Sequence, residues 1–471
     1  MKVLGIRSNK SLLGTLDRIA LLFDRKSFVE LSPGEDSSAM IGYGLIDGRK
    51  TYLIADTPYA EVPNDFATLH AKKISLLKEI EKDPHPLVLL ADAFRIHPPK
   101  GNFIATPGFP EFLMGKGSAT AYMRELGRLS GVVPIVATLV GDSWAGGTVP
   151  PALCDTYVLI KKHRMTFARP ELYLRMTGDH GGLDDLGSAE MHCTESGLGD
   201  ALVETEQDAI AWIKRYLSYF PTSYRALSPT APPDRCLPPS KEKIESFNIE
   251  PRRPFDTREL IDCFVDRDSF LEIKEGYANE VATGLARVNG RAVGIVGHNT
   301  INKFGAIHPS SCKKIAKFVT LCDSFSIPMI FLADTPGFMI GVGFDEEGAI
   351  KTAALVCATL AKTTVPKSLV IVRNAFGGGL FTTGPGFADS VVAFPDAKIG
   401  PFGSVTIRPA ESAEEAQGLR DMMDMAEMSR LLERGLLDQI VDQQSLRSYL
   451  VDFLEKNQMG PRSVPKGVLC I

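Results

Sequence analysis

The feature that most restricts the fold of this chain is an ordered internal repeat. Residues 42–56 read G-Y-G-L-I-D-G-R-K-T-Y-L-I-A-D, and residues 283–298 read T-G-L-A-R-V-N-G-R-A-V-G-I-V-G-H. Each segment places Asp-Gly or Asn-Gly between two apolar runs, a pattern typical of a two-residue β-hairpin. We therefore expect similar hairpins to turn at Asp47-Gly48 and at Asn289-Gly290.

Further short matches follow the two hairpins in the same order. They are A-K-K-I at 71–74 with C-K-K-I at 312–315, L-A-D at both 90–92 and 332–334, A-G-G at 145–147 near F-G-G at 376–378, and G-L-G-D at 197–200 near G-L-L-D at 435–438. The first two pairs are 241 and 242 residues apart. Nearly constant spacing over this distance predicts a duplicated domain, because short solenoid repeats recur every ~20–50 residues.

Length and composition agree with two folded domains. The chain has 471 residues, of which 44% are hydrophobic and 23% charged, as in globular proteins. Strand patterns alternate with helical patterns, which predicts an α/β fold. A proline-rich run, S-P-T-A-P-P-D-R-C-L-P-P-S-K-E-K, suits neither helix nor central strand. We therefore predict an N-terminal domain at 1–220, a linker at 221–254 and a C-terminal domain at 255–471.

Several classes of protein are disfavoured by the same composition. A net charge of −5 and a pI near 6 argue against a general nucleic-acid binder. The sequence has neither a charge-poor apolar run of membrane-spanning length nor the apolar core of a signal peptide. Its eight cysteines are scattered without C-x-x-C pairs, so we expect neither a zinc site nor a disulfide framework. A cytoplasmic protein without metal is the expectation.

Two apolar runs in the second half lead directly into glycine-bearing turns. They are Met329–Leu332, followed by A-D-T-P-G-F, and Ser368–Arg373, followed by N-A-F-G-G-G-L-F. Three consecutive glycines at 377–379 allow a ligand to approach the bare backbone, and bare amides after a strand can hold an oxyanion. A tight strand-to-helix connection would explain a single such turn equally well.

The first half carries the same arrangement. A predicted strand at Val132–Val140 leads to G-D-S-W-A-G-G-T-V-P-P-A-L, with Gly146 and Gly147 before a predicted helix. Pro150 and Pro151 are compatible with the first turn of that helix. Because the arrangement occurs twice, we favour a function for both turns over two tight connections.

Familiar catalytic motifs are missing from the sequence. It contains no G-x-S-x-G, H-E-x-x-H, Walker loop or helix-opening G-x-G-x-x-G. Its histidines are isolated, and adjacent acids such as Asp184-Asp185 resemble solvated faces more than acid/base pairs. A methionine-rich stretch at 413–432 predicts a helix used for packing or for subunit contact.

A family resemblance covers nearly the whole chain. In order, the matching motifs are F-V-E-L, G-Y-G-L-I-D-G-R, H-A-K-K-I, S-G-V-V-P, A-G-G-T, G-V-G-F-D-E-E-G-A-I, T-V-P-K, A-F-G-G-G and E-R-G-L-L-D. The chain resembles the carboxyltransferase β-subunit family of biotin-dependent acyl-CoA carboxylases, such as propionyl-CoA carboxylase, and of related decarboxylases. The resemblance implies two duplicated crotonase-like domains, each a spiral of β-β-α units.

The resemblance also implies a role for each glycine turn. Gly146 and Gly147 would stabilise the enolate of the acyl-CoA thioester, while Gly378 and Gly379 would hold the ureido oxygen of biotin. In the family, each active site forms where one domain faces the opposite domain of a neighbouring subunit, within a trimer-based hexamer. The further substrate-binding residues implied are Ala145, Arg95, Phe376, Gly377, Leu380, Phe381 and Gly337.

This chain departs from the family pattern at several places. The family reads N-D-S-G-G-A-R-I where this chain reads A-D-A-F-R-I at 91–96, although Arg95 remains. The family's A-Y-G-G-A-Y-D becomes A-F-G-G-G-L-F, so Leu380 and Phe381 replace a tyrosine and an acid. R-H-G-A becomes K-T-A-A at 351–354, and N-P-Y is missing. The biotin half-site and the acyl pocket therefore differ from those of the family.

Carboxyl transfer between carboxybiotin and an acyl thioester is the activity that the resemblance implies. With no A-M-K-M motif and no length for an ATP-grasp domain, we expect any biotin to arrive on a separate carrier chain. The alternatives are a biotin-independent acyl-thioester decarboxylase on the same fold, and a non-catalytic paralogue within a carboxylase complex. The acyl group, and its attachment to CoA or to a carrier protein, stay open.

Overall fold

The structure is a computed structural model of the chain. It describes residues 14–31, 39–56, 70–92, 114–168, 170–179, 185–234, 253–400, 412, 414, 417–418 and 427–468. Arg95, most of the predicted methionine-rich helix and linker residues 235–252 lie outside these ranges. The predicted domain boundaries therefore stay a prediction.

Two sheets contain most of the strands. In chain order the strands are β1 Val29–Glu30, β2 Ala39–Ile46, β3 Arg49–Asp56, β4 Leu87–Ala91, β5 Ile135–Leu139, β6 Ser143–Trp144, β7 Thr156–Ile160, β8 Met165–Thr166, β9 Ala201–Val203, β10 Leu271–Ile273, β11 Val281–Val288, β12 Arg291–His298, β13 Met329–Thr335, β14 Lys367–Phe376, β15 Ser390–Ala393, β16 Lys398–Gly400 and β17 Gln439–Ile440.

The helices of the described residues connect these strands. They are α1 Thr15–Leu22, α2 Ala71–Lys82, α3 Ala119–Arg128, α4 Val149–Ala152, α5 Pro170–Thr177, α6 Ala189–Thr194, α7 Glu206–Ser218, α8 Thr257–Phe264, α9 Pro309–Ser324, α10 Val342–Glu346, α11 Ala349–Lys362, α12 Leu380–Thr383, α13 Met428–Glu433 and α14 Leu446–Lys456. None of them is long and apolar enough to cross a membrane.

The two sheets share one topology. The first runs β1-β2-β3-β4-β5-β7-β9, and the second runs β10-β11-β12-β13-β14-β15-β17 with β16 beside β14. Each begins with antiparallel strands and continues with parallel ones from its third strand onward. The duplication and the α/β class predicted from the sequence are confirmed.

Both predicted hairpins are present. Asp47 and Gly48 have φ of 49° and 74°, and Asn289 and Gly290 have φ of 52° and 78°. Positive φ at both central residues defines the type I′ turn, whose twist matches that of the flanking strands. The hairpins pair Ile46 with Arg49 and Val288 with Arg291. Local turn chemistry therefore sets the register between the second and third strands of each sheet.

The chain forms two compact units. The first comprises residues 1–129, 135–189 and 202–215, and the second comprises 130–134, 190–201 and 216–471. In the first unit, Leu53, Leu77 and Val136 are buried on β3, α2 and β5 respectively. In the second, α8 and α14 bury Phe264 and Leu450 against the sheet.

Candidate active site

The N-terminal glycine turn begins directly after β6. Trp144 is extended, with φ −132° and ψ 154°, and Ala145 then adopts φ 51° and starts the 3-10 helix Ala145–Thr148. A left-handed backbone is uncommon for a residue other than glycine, and such residues concentrate at functional sites. Thr148 Oγ1 donates to the Ala145 carbonyl oxygen at 2.7 Å, which braces the turn. The first amides of a helix have no acceptor within it, so those of Gly146 and Gly147 suit an oxyanion.

The space around Gly146 distinguishes it from a glycine that packing requires. Gly146 is exposed, and a Cβ added there would meet no atom within 4 Å. Packing therefore does not require a glycine at this position. A ligand that approaches the backbone closely does require one.

The C-terminal glycine turn has the same backbone course. β14 ends at Phe376, which is extended with φ −112° and ψ 146°, and Gly377 follows with φ 54°. The 3-10 helix Gly377–Gly379 then leads into α12. Thr382 Oγ1 donates to the Gly379 carbonyl oxygen at 2.8 Å, two residues further along the turn than the corresponding Thr148 bond in the first turn.

This geometry corrects the pairing of the two turns by one residue. The sequence comparison placed Ala145 beside Phe376, but the left-handed residue of the second turn is Gly377. Ala145 therefore corresponds to Gly377, and Gly146-Gly147 to Gly378-Gly379. The pairing from the sequence was wrong by one residue because it matched glycine with glycine. The left-handed residue that starts each turn is Ala145 in the first copy and Gly377 in the second.

The C-terminal turn packs closely on the loop that follows β13. Gly337 has φ 119°, and its N–H donates to Thr335 Oγ1 at 3.1 Å. A Cβ on Gly379 would lie 2.6 Å from Thr335 Cγ2, and one on Gly378 would lie 2.9 Å from Phe338 Cδ2. These glycines are needed for packing, unlike Gly146.

The other predicted residues of this half surround the turn. Phe376 and Leu380 are half-buried, while Phe381 is 60% exposed. The Phe381 carbonyl oxygen accepts from Cys357 Sγ at 3.8 Å, which joins α12 to α11. The turn therefore presents an apolar surface where the family has a tyrosine and an acid.

A buried ion pair that the sequence did not predict supports the C-terminal turn. Arg373 Nε and a second guanidinium nitrogen lie 2.8 and 2.7 Å from Asp334 Oδ2. The backbone N–H and side-chain amide of Asn374 donate to Asp334 Oδ1 at 3.2 and 3.3 Å. Burial raises the pKa of Asp334, and Arg373 opposes that rise. The repeated L-A-D was a signal for this acid but not for its partner.

In the first turn, a glycine stands at the position that corresponds to Arg373. Gly141 precedes Ala145 by four residues, as Arg373 precedes Gly377. A Cβ on Gly141 would lie only 2.1 Å from Asp92 Oδ1, so the carboxylate fills the space beside Gly141. The L-A-D acids thus stand beside corresponding positions in both copies.

A buried histidine lies next to Asp334. His298 ends β12, is 1% exposed, and places Nδ1 3.2 Å from the Leu332 carbonyl oxygen. Its Nε2 has no hydrogen-bond partner among the described residues. Burial lowers the pKa of His298 to about 4, so the ring is neutral at pH 7. The sequence indicated an isolated structural histidine, and the burial agrees with that interpretation.

Comparison with known proteins assigns the family. The carboxyl transferase domain family matches residues 114–467, about three-quarters of the chain. The chain belongs to the carboxyl transferase family. It is an acyl-CoA carboxyltransferase-like enzyme with the crotonase-like fold, from the family that includes the biotin-dependent acyl-CoA carboxylases. The resemblance predicted from the sequence is confirmed.

Individual relatives span most of this carboxyl transferase chain. The uncharacterized carboxylase YngE of Bacillus subtilis is 33% identical over 473 residues, covering 95% of this chain and 90% of its own. Methylmalonyl-CoA decarboxylase subunit alpha of Veillonella parvula is 28% identical, covering 93% and 88%. A crystal structure of transcarboxylase 12S, a hexamer with hydrolyzed methylmalonyl-coenzyme A bound, superposes with a TM-score of 0.85 at 27% identity, covering 98% and 93%.

Proposed function

We propose that this enzyme transfers a carboxyl group between carboxybiotin and the α-carbon of an acyl-CoA, through an enolate held by backbone amides. The observation that carries the proposal is the open turn at Gly146, where a left-handed Ala145 precedes two glycines and no side chain fills the space. The family assignment supports carboxyl transfer as the reaction class. The oxyanion role of the turn is our own proposal.

Elementary chemistry explains why such a turn would matter. Loss of CO2 or of a proton next to a thioester leaves an enolate, whose negative charge collects on the thioester oxygen. Amides of Gly146 and Gly147 would donate to that oxygen, and one such donor is typically worth about 3–4 kcal/mol. Gly147 is buried, so part of the turn is already shielded from water. Backbone donors cost no reorganisation when the charge develops.

The second turn suits a neutral carbonyl oxygen. Gly378 is half-exposed and follows the left-handed Gly377, and we propose that its amide and that of Gly379 donate to the ureido oxygen of biotin. Carboxybiotin, when bound, supplies the CO2. Leu380 and the exposed Phe381 would add apolar contacts to its ring system. We expect biotin to reach this site on a separate carrier chain.

A decarboxylase that works without biotin is the second candidate. One relative is named as a methylmalonyl-CoA decarboxylase subunit. The apolar Leu380-Phe381 surface, in place of the family's tyrosine and acid, favours an altered second turn in this chain. The same enolate would form at Gly146-Gly147 in either reaction, so the two candidates differ only in the need for biotin.

Assembly and location extend the proposal. The transcarboxylase 12S structure is described as a hexamer, and we propose a trimer-based hexamer for this chain. Light scattering after gel filtration measures its mass directly. We also propose that it works in the cytoplasm, since its cysteines are scattered without paired motifs.

The proposal is tested by release of CO2 from malonyl-CoA and methylmalonyl-CoA by the purified chain, with and without free biotin. Gly146→Val places a side chain in the open turn. Gly127→Val is the matched control, because Gly127 is also an exposed glycine whose added Cβ would meet nothing within 4 Å. Both variants are expected to fold, and only the first is expected to lose turnover, by at least ~100-fold.

The biotin dependence separates the candidates. Release that requires biotin and disappears in Gly146→Val supports carboxyl transfer through both turns. Release without biotin that disappears in the same variant supports the decarboxylase. Full activity in Gly146→Val would contradict the oxyanion role. No release by the unmodified chain under any condition would favour a carrier-bound substrate or a non-catalytic subunit.

A further inference from the structure

An acid–histidine pair lies at the start of the N-terminal glycine turn. Asp142 precedes Ala145 by three residues, and its Oδ1 accepts from the Arg164 backbone N–H at 3.0 Å. His163 Nδ1 lies 3.6 Å from the same oxygen. Burial raises the pKa of Asp142, but the facing imidazole and the Arg164 N–H stabilise the carboxylate more, so this pKa lies below its usual value. The Asp142 side chain is 47% exposed, and its carboxylate is charged at neutral pH.

Backbone bonds join the same two segments. The Ser143 N–H donates to the Arg164 carbonyl oxygen at 2.9 Å, and β6 pairs with β8 in the register Ser143 to Met165. Each of these strands has only two residues, so few backbone bonds fix the entry to the turn. The side chains of Asp142 and His163 supply a further connection at the same place.

His163 also has an unused hydrogen-bonding atom. The residue is 7% exposed, and its Nε2 has no hydrogen-bond partner among the described residues. Ser143 Oγ, which is fully buried, is in the same situation. The entry to the turn therefore contains two buried polar atoms whose hydrogen bonds the described residues do not supply.

The two turns differ in the residue that precedes the left-handed position by three and in the left-handed residue itself. Asn374 precedes Gly377 by three residues, as Asp142 precedes Ala145, and its side chain is held by Asp334 rather than by a histidine. Gly377 adopts φ 54° freely because it has no Cβ. Ala145 adopts φ 51° against the preference of an L-residue, and so its conformation must be held by its surroundings.

We propose that Asp142 and His163 are positioning residues that hold Ala145 left-handed and thereby aim the Gly146 and Gly147 amides at the substrate. The effect on turnover rests on the proposed function, whereas the effect on the Ala145 conformation does not. Neither residue is expected to touch the reacting atoms. Without the pair, Ala145 relaxes toward φ below zero and the two amides lose their common direction.

The test measures backbone order and turnover in the full-length protein. Asp142→Ala is expected to speed hydrogen exchange in peptides that span residues 145–154 by at least ~10-fold, and to lower kcat more than it raises KM. Asp142→Asn is expected to recover most of both, because its amide oxygen still accepts from Arg164 N–H. Glu204→Ala is the matched control, since Glu204 pairs with Lys161 on the surface of the same unit.

A second background tests the link through Ala145. In Ala145→Gly protein, the left-handed conformation no longer depends on its surroundings, so Asp142→Ala should accelerate exchange by less than ~3-fold. His163→Gln provides the same comparison if Asp142→Ala fails to fold. The proposal would be overturned if hydrogen exchange were unchanged in both Asp142→Ala and His163→Gln. It would also be overturned if Asp142→Ala accelerated exchange as much in the Ala145→Gly background as in the unmodified chain. If exchange responds but the unmodified chain turns over no acyl-CoA, the proposed function fails while this inference stands.

Discussion

The buried histidine next to the C-terminal turn predicts a specific loss of stability in acid. His298 is neutral in the folded chain, with its Nδ1 against the Leu332 carbonyl oxygen and its pKa lowered to about 4 by burial. In the unfolded chain its pKa returns to about 6.5. Between these two values the unfolded state binds more protons than the folded state. The free energy of unfolding must therefore fall as the pH falls from neutrality toward 4.

The size of the effect follows from the two pKa values. The full difference is about 3.4 kcal/mol, reached below pH 4, at about 1.4 kcal/mol per pKa unit. At pH 5 the unfolded ring is almost entirely protonated and the folded ring almost entirely neutral, so the loss relative to pH 7 is about 2 kcal/mol. Partly buried His70, whose pKa burial lowers to about 3, adds to the total loss in acid.

The contribution of His298 is isolated by replacing it. His298→Asn keeps a donor near the Nδ1 position and removes the titration, so its free energy of unfolding should fall by about 2 kcal/mol less between pH 7 and pH 5 than that of the unmodified chain. Urea titrations at the two pH values measure this. Val296→Ala, a buried non-titrating change on the same strand, should keep the unmodified pH dependence. Identical pH dependence in His298→Asn would refute the reasoning.

Three further substitutions test the packing within the two units, each by urea titration. Gly379→Ala should lower the free energy of unfolding by about 1–3 kcal/mol, because its Cβ would overlap Thr335 Cγ2. Gly146→Ala should change the free energy of unfolding by no more than about 0.5 kcal/mol, because a Cβ there would meet no atom within 4 Å. Equal losses in Gly146→Ala and Gly379→Ala would contradict this difference in packing. Glu206→Ala leaves Arg18, 2.7 Å away and 3% exposed, as an unpaired buried cation, so it should cost about 3–5 kcal/mol; a cost below ~1 kcal/mol would argue against that pair.

Local chemistry made much of the fold predictable. Asp47-Gly48 and Asn289-Gly290 specify type I′ turns through residues that tolerate positive φ, and both hairpins are present. The glycine pairs after predicted strands also stand where expected. In each case the information lies within a few neighbouring residues. For that reason the single sequence was sufficient to predict the hairpins and the glycine turns.

Contacts between distant residues were not predictable in the same way. Asp334 and Arg373 are 39 residues apart and meet because β13 and β14 are parallel neighbours. Asp142 and His163 meet through two-residue strands too short to leave a periodic signal. Arg95, predicted as a substrate contact, lies outside the described residues.

The sequence alone determined the duplication, the hairpins and the two glycine turns, because each follows from residue types in a short segment. Only the tertiary structure decided what surrounds each glycine. Gly146 faces open space, while Gly379 lies against Thr335 and Gly337, and no local pattern distinguishes them. The volume around a backbone atom is a property of packing between segments far apart in the chain. For that reason the structure, and not the motif, separates the glycine with open space beside it from the one whose neighbours leave no room for a side chain.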